Sequence, residues 1–427
     1  MSSINRRDFI RAAGAVSLAG GFAGWPLAAF PAKDKARVVV VGGGYGGAIA
    51  AKYIKLMDPA INVRLIEQDK KFVSCPLSNE VLSGERDLDS LTFGYRGLSK
   101  RGVAVVGDEV VSINPARQSL KGSSGNLYKY DKLVLSPGVD FRWDAIEGYD
   151  AEVAERIPHA WKAGPQTLKL RKQIKDLKDG GVVYIVAPPN PFRCPPGPYE
   201  RAAQIAHYLK HHKPRSKVII LDAKDKFAKQ ALFMTGWKKF YGDMIEWVSA
   251  ADGGTVEAVD ADKMQLTAMV ETFKGDVINL IPPQKAAGIA AAAGLTDESG
   301  WCPVNQKTFE STLHKNVHVI GDSCIAGAMP KSGYSANSQG KVCAAAIVAE
   351  ANGLEAPEPS YVNTCYSIVA PDYGVSVAAV YELSDGKITA IPGAGGTSPS
   401  DVSERYRAKE AQYARSWFKS IMSDTFS

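Results

Sequence analysis

Apolar runs in this chain alternate with segments that carry apolar residues at a helical spacing. In ARVVVVGGGYGGAIAAKYIKLMDPAINVRLIEQD (36–69), an apolar strand is followed by a glycine-rich turn, a helix and a second strand. Residues 180–223 repeat this order, with GGVVYIVA, PYERAAQIAHYLKHH and SKVIILDA as strand, helix and strand. Strands joined by helices are typical of parallel sheets, so the pattern predicts an α/β fold with two Rossmann-like dinucleotide-binding domains.

The turn of the first unit carries glycines at the spacing of a dinucleotide-binding motif. Gly42 permits the tight turn, Gly44 lets the backbone approach a pyrophosphate, and Gly47 lets the helix pack closely on the strand. Glu67 ends the second strand, twenty residues after Gly47, where a carboxylate accepts the ribose hydroxyls of an adenine nucleotide. The unit therefore predicts a dinucleotide site, and both NAD and FAD fit it.

The turn of the second unit contains prolines in place of these glycines. They are Pro188, Pro189, Pro191, Pro195, Pro196 and Pro198. Because proline has no N–H to donate to a phosphate, we expect no NAD(P) site here, and we interpret Asp222, at the end of the next strand, as a surface residue. The prolines make a rigid turn around Cys194, which suits a reactive sulfur. Glu200 either handles protons or interacts with the dipole of its helix.

Two later apolar strands favour FAD over NAD at the first site, because they resemble segments of a known class of flavoproteins. YDKLVLSPG (130–138) and NVHVIGDSCIAG (316–327) resemble the segments that close the flavin domain in glutathione-reductase-like flavoproteins. The resemblance implies FAD at the first site, with Gly321 and Asp322 at its ribityl chain. It also implies that an inserted domain interrupts the flavin domain.

Residues 1–32 have the organisation of an export signal. SINRRDF is followed by a weakly apolar stretch rich in Gly and Ala. The pair Arg6-Arg7 resembles a twin-arginine signal, and an ordinary signal that happens to hold two adjacent arginines is the alternative. We therefore expect a periplasmic protein exported by the twin-arginine route. Because no later apolar run reaches the ~20 residues that span a bilayer, no transmembrane segment is predicted.

Charge and cysteine spacing exclude several classes of site. The net charge is only +6 and no Lys/Arg stripe with interleaved aromatic residues occurs, so we expect no nucleic-acid binding. The six cysteines show neither zinc spacing nor the C-x-x-C-H of c-type haem attachment, so no metal site is predicted. Six cysteines allow fifteen pairings and the sequence alone selects none of them. Cys302, Cys324 and Cys343 are interpreted as core thiols.

Long segments along the mature chain are similar to one family, the flavoprotein subunit of flavocytochrome c sulfide dehydrogenase. The segments are IKLMDPAINVRLIE, PFRCPPGPYERA, VINLIPPQ, GWCPV, MPKSGYSANSQGKV and NTCYSIVAP. They are distributed over essentially the whole mature chain. Such long runs are much more specific than a glycine motif.

The resemblance implies the cofactor, the site residues and the partner. Cys75, in FVSCPLSNE, would carry FAD covalently as an 8α-S-cysteinyl flavin. Cys194 and Cys365 would form a redox-active disulfide beside the flavin, and Trp417 would lie near it. Sulfide (HS⁻) would be oxidised to sulfur or polysulfide, and the electrons would pass to a c-type cytochrome subunit that holds the haem of the heterodimer.

These observations predict five segments, the last of which is a C-terminal α+β domain. The segments are the twin-arginine signal (1–32), the first part of the FAD domain (33–147), a second dinucleotide fold without an NAD site (148–283), the second part of the FAD domain (284–355), and a domain that covers the flavin and contacts the cytochrome (356–427).

Three alternatives stay open at this point. A sulfide:quinone reductase would use an amphipathic tail to bind a membrane, and Tyr406, Tyr413, Trp417 and Ile421 lie on one face of the predicted C-terminal helix. That face could equally pack on the core of the protein itself. An NAD(P)H-dependent disulfide reductase, which the prolines argue against, and a flavin-storing or assembly protein are the other two.

Overall fold

A computed structural model describes residues 35–269 and 271–427, so the predicted signal segment lies outside the described residues. In chain order the strands are β1 (Arg37–Val41), β2 (Asn62–Glu67), β3 (Lys71–Val73), β4 (Thr92–Gly94), β5 (Ala104–Gly107), β6 (Val110–Asn114), β7 (Ser119–Gly122), β8 (Leu127–Lys129), β9 (Lys132–Leu135), β10 (Val139–Phe141), β11 (Val182–Ala187), β12 (Lys217–Asp222), β13 (Ile245–Val248), β14 (Val256–Asp260), β15 (Gln265–Ala268), β16 (Thr272–Lys274), β17 (Val277–Leu280), β18 (Gln284–Ala286), β19 (Val317–Val319), β20 (Tyr361–Ala370), β21 (Tyr373–Ser384) and β22 (Lys387–Thr397).

Helices connect and cover these strands. In chain order the α-helices of the described ranges are α1 (Gly47–Met57), α2 (Asn79–Ser83), α3 (Arg96–Lys100), α4 (Pro165–Asp176), α5 (Gly197–His212), α6 (Gln230–Tyr241), α7 (Gly288–Ala292), α8 (Gly333–Ala351) and α9 (Glu404–Phe426). Within those ranges, no helix combines the length and apolar character that crossing a membrane requires.

Five parallel strands form the sheet of the first unit, in the order β19-β9-β1-β2-β5. The central strand β1 pairs Val41 with Ile66 on one side and with Leu135 on the other. Its four valines are all buried, with helix α1 and strand β8 both packed against β1, and this burial explains the continuous apolar run. β9 and β19 are neighbours although β10 to β18 lie between them in the chain.

The second unit has its own parallel sheet, in the order β13-β12-β11-β17. The α/β fold class with two Rossmann-like sheets is therefore confirmed. The two chain segments that run between the sheets pair with each other, as the antiparallel strands β10 and β18. Gln284 of β18 also accepts a hydrogen bond from the Arg193 N–H of the proline-rich turn at 2.9 Å, which joins this pair of strands to the turn.

The C-terminal part combines an antiparallel sheet with a helix, which is the predicted α+β composition. β20, β21 and β22 are joined as a meander, and α9 packs against β20 and β21. The predicted apolar face of α9 divides in two. Ile421 is buried and Trp417 packs on the core, whereas Tyr406 and Tyr413 are 41% and 54% exposed. The interpretation that this face packs on the core of the protein itself therefore holds for the second half of the helix.

One interpretation of the second unit was wrong. Asp222 is not a surface residue, because its side chain is fully buried at the end of β12. Its Oδ2 accepts hydrogen bonds from the Tyr199 hydroxyl at 2.5 Å and from Trp247 Nε1 at 3.0 Å, and Lys224 Nζ lies 2.5 Å from Oδ1. A buried carboxylate needs such partners to offset its desolvation, and two of the three, Tyr199 and Trp247, come from other elements of the fold.

Candidate functional site

A long cleft of about 770 Å³ follows the carboxyl ends of the first sheet. It runs from the turn after β1, past Glu67, to Cys75 and Asp322. Ligands of parallel α/β sheets bind at this edge, outside the carboxyl ends of the strands. The cleft is therefore the candidate nucleotide site that the glycine motif predicts.

The three glycines of the motif meet three different steric demands. Gly42 has a φ of +94°, and a Cβ there would lie 2.3 Å from the Ser136 carbonyl oxygen. At Gly47 a Cβ would lie 1.9 Å from the Gly42 carbonyl oxygen, so helix α1 can approach β1 only without a side chain. At Gly44 the nearest atom would be a Phe72 carbon at 3.5 Å, which leaves the backbone open toward the cleft.

Glu67 lies at the cleft and also orders its glycine-rich turn. The carboxylate accepts a hydrogen bond from the Gly43 N–H at 2.6 Å through one oxygen, and from the Asp69 N–H at 3.0 Å through the other. Each carboxylate oxygen can accept more than one hydrogen bond, so both bonds are compatible with a contact to ribose hydroxyls.

Asp322 presents an unsatisfied acceptor where the cleft ends. Its Oδ1 is buried and has no hydrogen-bond partner among the described residues, while its Oδ2 lies 3.8 Å from an Arg193 nitrogen. Burial raises the pKa of the Asp322 carboxyl, and the cations Arg193 and Lys331 act in the opposite direction. The preceding Gly321, at a φ of +75°, donates its N–H to Gln339 Oε1. An acceptor left in this state fits the hydroxyls of a ribityl chain, so the cleft fits FAD.

A second, narrower cavity of about 80 Å³ adjoins the end of this cleft. It is lined by three cysteines that are far apart in sequence, Cys75, Cys194 and Cys365, together with Glu200 and Trp417. All six cysteines are free thiols in the structure. The disulfide that the family resemblance implies is thus not formed here. The structure does, however, place the two predicted partners in one cavity.

The proline-rich turn holds Cys194 by its backbone on both sides. The Cys194 N–H donates to the Lys331 carbonyl at 2.8 Å, and the Cys194 carbonyl accepts from the Gly197 N–H at 2.8 Å. The residue has a φ of +59°, which is uncommon for residues other than glycine. Backbone conformations of this kind cluster at functional sites. Burial raises the pKa of the Cys194 thiol well above its usual value, and the neighbouring Cys365 and Glu200 act in the same direction.

Cys365 and Glu200 reach the cavity from a strand and from a helix. Cys365 lies on β20, opposite Val377 of β21. Burial raises the pKa of its thiol, while Lys229 counteracts this effect. Glu200, in the first turn of α5, is 8% exposed and accepts hydrogen bonds from Asn79 Nδ2 at 2.9 Å and from the Ile368 N–H at 2.7 Å. Burial raises its pKa.

Cys75 lines both the long cleft and the cavity. It lies between β3 and α2, and its sulfur is 3.8 Å from the Trp161 carbonyl oxygen. Trp417 of α9 also lines the cavity, with its ring nearly parallel to that of Tyr334 at a centroid distance of 6.2 Å. The Trp417 Nε1 is buried and has no partner within the described part of the chain.

Three cations at or beside this cavity were not predicted from the sequence. Arg193 and Arg201 line it, and Lys229 lies next to it, with its Nζ donating to the Cys365 carbonyl oxygen. Arg193 lines both the cleft and the cavity, and its position beside Cys194 was the one available local signal. Arg201 and Lys229 are buried, and only tertiary contacts bring them to the sulfurs. No periodicity or motif marks them.

Three sequence families match different parts of the chain. Residues 36–175 match pyridine nucleotide-disulphide oxidoreductase. Residues 167–282 match the central part of the sulfide dehydrogenase (flavocytochrome c) flavoprotein chain, and residues 357–426 match the flavin-binding part of flavocytochrome c sulphide dehydrogenase. Together they cover the second sheet, four of the five strands of the first sheet and the C-terminal part.

The matched relatives that are named for an activity on sulfide are of two kinds. The sulfide dehydrogenase (flavocytochrome c) flavoprotein chain of Chlorobaculum thiosulfatiphilum is 60% identical over 45 residues, which are 10% of this chain and 94% of that sequence. The mitochondrial sulfide:quinone oxidoreductase of Mus musculus is 22% identical over 303 residues, 68% of this chain and 66% of the mouse protein. The solved sulfide:quinone oxidoreductase of Aquifex aeolicus shares the fold, with a TM-score of 0.71 at 17% identity, over 91% of this chain and 92% of that one.

The close approach at Gly47 makes flavin retention testable. In a Cys75→Ser background, used for both variants of this test so that flavin can be held only non-covalently, Gly47→Ala should bind flavin at least tenfold more weakly, about 1.4 kcal/mol, because the added Cβ pushes α1 away from the turn. The measurement is the ratio of visible flavin absorbance to protein absorbance after gel filtration. Gly107→Ala is the matched control, since no atom lies within 4 Å of a Cβ at that position. Equal flavin content in the two variants would contradict the assignment of the cleft.

Proposed function

We propose, from the premise that this chain belongs to the sulfide dehydrogenase and sulfide:quinone oxidoreductase family of flavoproteins, that it oxidises sulfide and passes the electrons to a c-type cytochrome subunit. The observation that carries the proposal is the meeting of Cys194 and Cys365 in a buried cavity that adjoins the flavin cleft through Cys75. A substrate that reacts with a cysteine sulfur in this cavity would be close to a flavin bound in the cleft, which could accept its electrons.

The proposed chemistry begins at a bridge between Cys194 and Cys365. HS⁻ attacks one sulfur, a new S–S bond forms, the bond between the cysteines breaks, and the other cysteine is released as a thiolate. The substrate sulfur is then held as a persulfide, and its charge has moved to the released cysteine. A cavity of about 80 Å³ admits so small a nucleophile.

The residues of the cleft would hold FAD in this scheme. The glycine-rich turn would receive the pyrophosphate, Glu67 the adenosine ribose and Asp322 the ribityl chain, while Cys75 would form an 8α-thioether to the ring. When bound, FAD supplies a two-electron acceptor that can release electrons one at a time. Glu200, with its raised pKa, would exchange a proton with the persulfide or thiol. The proline-rich turn would leave no phosphate site for NAD(P).

The electron acceptor distinguishes this proposal from its alternative. The two matched flavocytochrome families and the Chlorobaculum relative favour a cytochrome partner. In the proposed heterodimer the partner alone would hold the haem. The longer matches to sulfide:quinone oxidoreductases favour delivery to a membrane quinone. The exposed Tyr406 and Tyr413 of α9 are available to either a protein or a membrane surface. Export by the twin-arginine route would place the protein in the periplasm, beside soluble c-type cytochromes.

The cysteine pair is tested by anaerobic sulfide titration of the bound flavin. Cys194→Ser and Cys365→Ser should each slow sulfide-driven bleaching of the flavin by roughly a thousandfold or more, because a residue that forms a covalent intermediate has no substitute. Cys343→Ala is the control, since Cys343 is fully buried and lines neither cavity. Bleaching at an unchanged rate in either serine variant would exclude the mechanism and would favour a flavin-storing protein.

The covalent flavin is tested by acid precipitation of the purified protein. The yellow colour should stay with the wild-type polypeptide and with Cys194→Ser, whereas Cys75→Ser should release its flavin to the supernatant. Cys75→Ser should nevertheless hold flavin before denaturation, because the glycine-rich turn and Asp322 are intact. Release of flavin from the wild-type protein would show that Cys75 forms no bond to it.

The electron acceptor is tested by reducing the flavin with sulfide and then comparing a c-type cytochrome with a soluble quinone analogue as oxidants. The chain should copurify with a c-type cytochrome, whose haem should be reduced by sulfide within the complex. The isolated chain should not reduce a soluble quinone analogue at a comparable rate. Rapid quinone reduction together with the absence of a cytochrome partner would establish the alternative function.

A further inference from the structure

A buried ammonium group lies beside Cys365. Lys229 precedes helix α6, and the residue is 7% exposed. Its Nζ donates to the Ser367 hydroxyl at 2.8 Å and to the Cys365 carbonyl oxygen at 3.2 Å, so it joins the second unit to strand β20. Both of these acceptors are uncharged. A lysine is seldom so buried without a charged partner.

Lys229 differs in this respect from a lysine five residues earlier. Lys224 is also largely buried, but its Nζ lies 2.5 Å from Asp222 Oδ1. Lys229 takes part in none of the ion pairs found within residues 35–269 and 271–427. The ionisable groups that it does influence are Cys365, Cys194 and Glu200, and it lowers the pKa of each of them.

The other two cations near these groups, Arg193 and Arg201, interact electrostatically with Cys194, and neither of them is among the groups that act on Cys365. The guanidinium of Arg201 donates to Asn79 Oδ1, to Asn279 Oδ1 and to the carbonyls of His159 and Ala160. Its electrostatic partners are Cys194, Cys75 and Glu200. The charged and titratable groups that face Cys365 are Lys229, Glu200 of α5 and Cys194 of the proline-rich turn. Lys229 is the cation of this set.

We propose that Lys229 is a positioning residue that stabilises the negative charge left on the Cys194–Cys365 pair when sulfide attacks. The inference rests on the proposed function. HS⁻ brings one negative charge into the cavity, and its reaction with the disulfide gives one persulfide and one thiolate, so the charge stays there whichever sulfur is attacked. In a medium of low dielectric constant an unpaired thiolate is costly, and a fixed ammonium group offsets that cost.

The test measures the Cys365 thiolate directly and needs no sulfide. In the flavin-loaded Cys194→Ser protein, the rate at which iodoacetamide alkylates Cys365 is followed against pH by peptide mass spectrometry. Because Lys229 lowers the pKa of this thiol, adding Lys229→Met should raise the alkylation midpoint, and at a pH below the midpoint the rate should fall about tenfold for each unit of increase.

Two further variants separate charge from hydrogen bonding. Lys229→Gln keeps a donor but no charge, and Lys229→Arg keeps the charge. A charge effect predicts that Lys229→Gln behaves like Lys229→Met, with the midpoint restored by Lys229→Arg. Lys224→Met is the matched control, since it alters a buried lysine of the same loop that is paired with Asp222, and it should leave the midpoint unchanged.

The inference is overturned if Lys229→Gln keeps the original midpoint, because Lys229 would then only brace β20, or if Lys224→Met shifts the midpoint equally. Should Lys229→Met fail to fold, the glutamine and arginine variants decide the question alone. If the midpoint shifts as expected but sulfide does not reduce the wild-type flavin, the proposed function fails while the assignment of charge to Lys229 stands.

Discussion

The hydrogen bond from the Cys194 N–H to the Lys331 carbonyl, at 2.8 Å, is the contact on which the site depends. It joins the proline-rich turn of the second sheet to the segment that follows Asp322 and closes the flavin cleft. Lys331 is fixed in turn, since its Nζ donates to the carbonyls of Asp322 and Cys324. A sulfur carried by one domain is thereby held at the edge of a cleft formed by another.

The cavity reached by this contact balances burial against charge. Burial raises the pKa of Cys194, Cys365 and Glu200 alike and disfavours the anions of these three groups. Buried cations from separate segments oppose that effect. A cavity of this kind keeps its thiols largely protonated at rest, yet it can accept the charge of an incoming hydrosulfide. This combination suits a pair of cysteines in which one sulfur is attacked and the other is released as a thiolate.

The comparisons with known proteins support membership of the sulfide dehydrogenase and sulfide:quinone oxidoreductase family. The identity of the electron acceptor is part of the proposed function. The matched flavocytochrome families cover the second sheet and the C-terminal part, and the solved sulfide:quinone oxidoreductase shares the fold over 91% of this chain. Likeness of fold does not distinguish between the two acceptors, because the acceptor is selected by surface side chains. Helix α9 shows this division, since its second half packs into the core while Tyr406 and Tyr413 face outward.

The sequence by itself determined the features that depend on short spacings. The apolar runs predicted both sheets, because a buried parallel strand must be apolar throughout, and the motif from Gly42 to Glu67 predicted the cleft, because a pyrophosphate needs glycine at fixed positions. Prolines argued against a second phosphate site for the same local reason. Tertiary structure alone decided the rest. Cys75, Cys194 and Cys365 share one cavity, Lys229 and Arg201 lie among them, and Asp222 is buried rather than exposed. Such side chains meet through packing between elements that are distant in the chain, and no local pattern records those contacts.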